Sequence, residues 1–203
     1  TVRVYTYNGT AWIQQGSDLD GTDDGNSSNA DSQGGSISLS SDGTILAVGA
    51  TGHDGKGTVR IYTYNGTAWI QQGGDLDGTD AGDVQGMSVS LSSDGTTLAV
   101  GAIGHDGNVS TGTSKGTVKI YTYDGTAWTQ KGSDVDGTDA GDRQGESVSL
   151  SSDGTTLAVG AIGHDGNVST GTSKGTVRIY TYDGTAWTQK GSDVDGTDAG
   201  DRQ

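Results

Sequence analysis

One segment constrains this chain more than any other. Tyr-Thr-Tyr, then Asn or Asp, then Gly-Thr-Ala-Trp is written four times, with its tryptophans at Trp12, Trp69, Trp128 and Trp187. The intervals are 57, 59 and 59 residues. Self-similarity on this scale is the signature of a repeat architecture, in which each unit is one supersecondary element stacked on its neighbours. The short interval has two local causes. Five extra residues lie between Asp18 and Gln33 relative to Asp75–Gln85, and seven are missing between His53 and Thr58 relative to His105–Thr117. Length changes of this kind mark loops. From Ser88 to Gln144 and from Ser147 to Gln203 the chain repeats residue for residue, except that Lys119 is matched by Arg178.

Each unit reads as four strands. In the last one, Ser147 to Ser151 alternates and predicts strand one, and Asp153-Gly154 is a hairpin turn signal. Leu157 to Ala161 predicts strand two, Thr176 to Tyr182 strand three, and Ala186 to Gln189 strand four after the Asp183-Gly184 turn. An acidic loop, 192–201, leads to the next unit. No helical period is present. The expected fold class is therefore all-β: tandem four-stranded antiparallel sheets, as in propeller blades, with an open stacked-sheet fibre as the alternative. The units are placed at 35–86, 87–145 and 146–203, behind a half unit at 1–34 that holds strands three and four and an acidic connection. Beginning inside a strand at Thr1, the chain reads as a segment of something longer.

Strand two opposes Leu157 and Val159 to Ala158 and Gly160, and strand three opposes Val177 and Ile179 to Arg178, Tyr180 and Tyr182. Both faces are poor in charge, one bulky and one small, so each sheet is expected to be covered on both sides. Composition alone argues otherwise. Leu, Ile and Val total 32 of 203 residues, there is no Phe, and the net charge is −15. A chain below about 20% in these residues with high net charge is expected to be disordered. The fixed recurrence of the apolar runs outweighs that expectation. The acidity, with a pI near 4.1, argues against nucleic acid and anionic membranes as partners. No Cys is present, which removes disulfides and thiolate sites, and no apolar run reaches the length of a membrane span.

The acidic connection is the strongest chemical feature. Asp75, Asp77, Asp80 and Asp83 recur as Asp134, Asp136, Asp139 and Asp142, and again as Asp193, Asp195, Asp198 and Asp201. Closely spaced carboxylates with intervening Gly suit Ca²⁺, which takes six to eight oxygens on a flexible loop. The other reading is a solvated turn whose Asp side chains bond the local backbone. The first copy, Asp18, Asp20 and Asp23, is interrupted by its insertion. His53, His105 and His164 share one repeat position and are expected to be structural residues at loop ends. One imidazole and no thiolate per unit make a poor zinc site. The Trp and Tyr of the signature segment are expected to be packing residues rather than sugar platforms. Among the sequons, Asn8 and Asn65 sit in Asn-Gly turns that account for them, whereas Asn26, Asn108 and Asn167 lie in loops and are the better glycan acceptors.

The run Ser-Val-Ser-Leu-Ser-Ser-Asp-Gly-Thr-Thr-Leu-Ala-Val-Gly-Ala at 147–161, preceded by Gln144-Gly145, resembles the FG-GAP repeats of integrin-α-type β-propellers. It also resembles secreted microbial and algal repeats that carry Trp128, Gln130, Gly132, Asp134, Asp136 and Gly137 in this pattern. The resemblance implies an extracellular or cell-surface location and a role in adhesion. Gln144 replaces the Phe of the FG pair, and the hairpin that holds calcium in that family is shortened here to Ser-Ser-Asp-Gly-Thr-Thr. The near-identity of the units favours a structural or adhesive array whose partners are further copies of the same repeat. The alternative is a closed propeller binding a surface glycan or protein ligand. With no Ser/His/Asp set, phosphate loop or unique polar cluster in view, the chain is expected not to be an enzyme.

Overall fold

The computed structural model describes residues 1–22, 30–106, 113–164 and 173–198. β1 (Tyr5–Tyr7) and β2 (Trp12–Gln14) form a two-stranded sheet. The second sheet holds β3 (Gln33–Leu39), β4 (Ile45–Ala50), β5 (Thr58–Tyr64), β6 (Trp69–Gln71) and β7 (Leu76–Asp77). The third holds β8 (Gln85–Leu91), β9 (Thr97–Ala102), β10 (Thr117–Tyr123), β11 (Trp128–Gln130) and β12 (Val135–Asp136). The fourth holds β13 (Gln144–Leu150), β14 (Thr156–Ala161), β15 (Thr176–Tyr182), β16 (Trp187–Gln189) and β17 (Val194–Asp195). All ladders are antiparallel, and the four main strands of each full sheet lie in sequence order. The single helical turn among the described residues is a 3₁₀ turn at His53–Gly55. The fold is all-β, a tandem of propeller-like blades.

Two details differ from the sequence reading. The acidic connection is not wholly a loop, because its first part forms a short strand in each full sheet. β6 covers only Tyr62–Tyr64 of β5, and the chain then turns at Gly73 (φ 79°) and returns so that β7 pairs with Thr58 and Val59. The outer edge of strand three, which β6 leaves open, is thereby satisfied. The second difference is the seam. The first strands start at Gln33, Gln85 and Gln144, so Gly34, Gly86 and Gly145, expected as unit boundaries, lie inside them within a bulge. Gly101 of the Leu-Ala-Val-Gly-Ala run explains itself here, since a Cβ on it would collide with the Gly145 carbonyl of the next sheet.

The core lies between sheets rather than within one. Ala47, Val59 and Ile61 of the second sheet meet Val89, Leu91, Leu98, Val100 and Trp128 of the third. Ala99, Val118, Ile120 and Val135 meet Leu150, Leu157, Val159 and Tyr180 of the fourth. The small face of strand two is not small overall: Ala158 and Gly160 pair with Ile179 and Val177, so strand three supplies the bulk on that side. The serines of strand one join the sheets. Ser88 Oγ donates to the Gly145 carbonyl at 2.8 Å, and Ser90 Oγ accepts from Leu150 N at 2.9 Å. The first strands are thus packed side by side, and Trp69, Trp128 and Trp187 each lean on the preceding sheet. Trp69 Nε1 donates to the Gln15 carbonyl at 3.0 Å and Trp187 Nε1 to that of Lys131 at 2.9 Å. Trp12 of the first sheet is 69% exposed.

Candidate functional site

Register places one rim of the molecule. Ala102 pairs with both Gln85 and Thr117, so the starts of strands one and three and the end of strand two share an edge. The Gly-His-Asp-Gly segment leaves strand two there, and the acidic connection arrives there from the preceding unit.

A cation on strand three organises each seam. Arg60 is buried on β5; its Nε donates to Asp75 Oδ2 at 2.8 Å and its Nη1 to Gln33 Oε1 at 2.8 Å. Nη1 also faces Asp31 Oδ2 at 3.4 Å, and Nη2 donates to Thr22 Oγ1 at 2.8 Å. Arg178 repeats the pattern, with Nε to Asp193 Oδ2 at 2.9 Å, Nη1 to Gln144 Oε1 at 2.6 Å and Nη2 to Thr138 Oγ1 at 3.2 Å. A guanidinium suits this position because its planar fork carries five donors. The histidines bond the connection of the preceding unit: His53 Nδ1 lies 2.8 Å from Asp31, His105 Nδ1 3.2 Å from Asp83, and His164 Nδ1 3.1 Å from Asp142. Arg178 Nη2 also lies 2.9 Å from His164 Nδ1.

The third sheet departs from this plan. Lys119 stands where its siblings carry Arg, and its Nζ donates to Thr79 Oγ1 at 3.4 Å. Gln85 is fully buried and its Nε2 donates to the Leu76 carbonyl, but its Oε1 has no hydrogen-bond partner. The Tyr121 phenol lies beside this amide, without hydrogen-bond geometry to Oε1. Asp134 keeps its bond from Gln130 and lacks the guanidinium bond that Asp75 and Asp193 receive.

The deepest carboxylates are structural acceptors. Asp83 Oδ2 takes the N–H of Thr79 at 2.8 Å and of Asp80 at 3.0 Å, and Asp142 repeats this with Thr138 and Asp139. Burial pushes the Asp83 and Asp142 carboxyls up, but the backbone donors, the Thr hydroxyl and the neighbouring His together hold both below the ordinary range.

The four carboxylates expected to wrap one calcium do not converge. Among the described residues, Asp75 and Asp77 gather with His53, whereas Asp80 and Asp83 gather with His105 of the next sheet, each set having ligand atoms within 4.8 Å of one another. Asp139 and Asp142 gather with His164, which also meets Asp193 and Asp195 from its other side. Asp201, Asn26, Asn108 and Asn167 lie outside the described residues. Asn8 and Asn65 accept two backbone N–H bonds each within their turns. Trp69 and Trp128 are buried between sheets, which removes them as sugar platforms. Sequence reading missed Asp31, the buried cation of strand three and the buried Gln. The signal was present as Asp-x-Gln-Gly before each strand one and a lone charge inside an apolar strand.

The rim carries a cavity of about 290 Å³ in the third sheet, lined by His105, Asp106, Lys115, Gly116, Asp136 and Gly137. Its counterpart in the second sheet, at His53, Asp54, Lys56, Gly57 and Asp77, is about 90 Å³. Asp106 is spent on the backbone, accepting from Thr113 N at 2.7 Å and Lys115 N at 2.9 Å. Asp136 is exposed to the cavity mouth.

No protein-family model matches the chain, and no curated protein matches it in sequence. Solved structures do resemble it in fold. A proposed 6-phosphogluconolactonase from Bacteroides fragilis superposes with a TM-score of 0.53 at 16% identity, covering 80% of this chain and 39% of its own. Another from Bacteroides uniformis gives 0.53 at 13% identity, covering 90% and 46%. A fucose lectin from Kordia zhangzhouensis gives 0.41 at 19% identity, covering 77% and 98%. The chain thus spans less than half the length of the two lactonase-type proteins. Their likeness corrects one expectation: this fold is one that proposed enzymes carry, so repetition and all-β architecture do not exclude catalysis. The rim brings His105, Lys115 and Asp136 of one unit onto a shared cavity, and the second sheet repeats the arrangement with His53, Lys56 and Asp77.

Proposed function

We propose that this chain is part of a propeller-like binding module that takes a neutral, hydroxyl-rich ligand of the carbohydrate class at the rim of its third sheet. The cavity at His105, Lys115 and Asp136 carries this reading. Its volume lies at the lower end of small-molecule sites. The exposed carboxylate of Asp136 suits paired hydroxyl donors, Lys115 supplies a donor, and His105 Nε2 is the ring nitrogen not engaged by Asp83. A net charge of −15 disfavours anionic ligands.

The test is calorimetric titration of mono- and oligosaccharides into the protein and its Asp136→Asn variant, with NMR of the sugar to register any turnover. Saturable binding that weakens at least tenfold in Asp136→Asn is expected. Saccharide binding unchanged by that substitution, or none at all, would remove the proposal.

A further inference from the structure

The three seams offer one set of acceptors to two different cations. In the second and fourth sheets the guanidinium lies between the Gln oxygen, the buried Asp and the His. In the third sheet that fork is missing. Asp80, Asp83 and His105 hold ligand atoms within 4.8 Å of one another. His105 Nδ1 and Asp83 Oδ1 stand 3.2 Å apart, close to the roughly 3 Å between neighbouring ligands on one ion with bonds of about 2.1 Å. Gln85 Oε1 is fully buried and unpartnered. Its counterparts on Gln33 and Gln144 point at the guanidinium nitrogen that faces Asp31 or Asp142, so by repeat equivalence it is aimed at Asp83.

We propose that this seam binds one divalent cation through His105, Asp80, Asp83 and the Gln85 amide oxygen, and that the two arginine seams do not. One imidazole with carboxylate and amide oxygens suits Mn²⁺ and borderline ions better than Ca²⁺ alone. Lys119 permits this because its ammonium is a compact charge on a flexible stem and is turned toward Thr79. Arg178 holds Gln144 and His164 with fixed donors, so in that seam the guanidinium charge stands between the groups that would ligate an ion. The site is distinct from the sugar reading of the rim cavity, which uses the opposite nitrogen of His105.

The experiment counts bound Mn²⁺ from the loss of its free EPR signal, with Zn²⁺ and Ca²⁺ as competitors. The native protein is expected to take up one equivalent, Lys119→Arg none, and Arg178→Lys two. Melting of each variant in chelator shows whether it is folded, and the sibling seams show that either side chain is accommodated. One equivalent retained in Lys119→Arg would overturn the proposal. So would no uptake by the native protein, or no gain in a folded Arg178→Lys.

Discussion

The third and fourth sheets are nearly the same molecule twice, and their seams differ chiefly in one buried cation. Leu76 in the Lys119 seam is Val135 in the Arg178 seam; otherwise the acidic connections from Asp75 and from Asp134 match through to the buried Asp83 and Asp142. Yet Arg178 satisfies Gln144, Thr138 and Asp193 together, while Lys119 reaches only Thr79 and leaves Gln85 Oε1 without a bond. Charge is the same in both. Donor count and geometry are not, and these decide whether a buried polar set is fully bonded or keeps an unpaired acceptor.

The sharpest way to break this comparison is to delete each cation. Arg178→Met strips Asp142, Gln144 and Asp193 of their shared partner at a position only 3% exposed. Removing one member of a buried pair costs about 3–5 kcal/mol. Lys119→Met removes a single long hydrogen bond and is expected to cost about 1 kcal/mol. Chemical denaturation of both variants measures the difference. Equal losses would mean that the arginine network is not the tighter of the two.

Exchanging the cations is the smaller, more specific test. Arg178→Lys should reproduce the unpaired acceptor of the third sheet, leaving Gln144 Oε1 without a partner, at about 1–3 kcal/mol. Lys119→Arg should move the third sheet the other way by about 1 kcal/mol, with Gln85 Oε1 newly satisfied. Denaturation in chelator isolates this from any bound ion. A Lys119→Arg protein less stable than the parent would show that the third seam is already closed without a guanidinium.

The blades were legible in the sequence because strand period, Asp-Gly turns and the Tyr-Thr-Tyr signature agree on one structure. Strand three, Thr176–Tyr182, has the bounds that its alternation implies. β17 was not legible: Val194-Asp195 is two residues inside an acidic run, and its pairing is dictated by the edge that the three-residue β16 leaves open. The rim cluster was half legible. Its carboxylates stood out by repetition, but which of them meet depends on the seam. Asp80 and Asp83 turn toward a histidine 22 or more residues ahead, a pairing that no local spacing encodes. Arg60, Lys119 and Arg178 stand as lone charges on strand-three faces otherwise poor in charge, and nothing local in the sequence names their partners. They are buried, and Arg60 and Arg178 bond acidic connections on both sides.

The last and smallest effect reads the two seams through their tyrosines. Burial raises the Tyr180 phenol, and the Arg178 charge opposes that rise. Tyr121 has no such opponent of comparable kind: burial and then the Asp134 carboxylate push it up to about 12, with the Gln85 amide pulling back slightly. A phenol raised in the folded state and near 10 when unfolded leaves stability unchanged below pH ~10 and lowers it as pH climbs from ~10 to about 12. Lys119→Arg places a guanidinium against Asp134 and should bring the Tyr121 midpoint down toward that of Tyr180. Tyrosine ring-carbon NMR titration of the parent and the variant resolves the two midpoints residue by residue. If Tyr121 titrates at the same pH in both proteins, the guanidinium does not reach Asp134 in that seam, and the exchange of Lys for Arg does not account for the difference between the two seams.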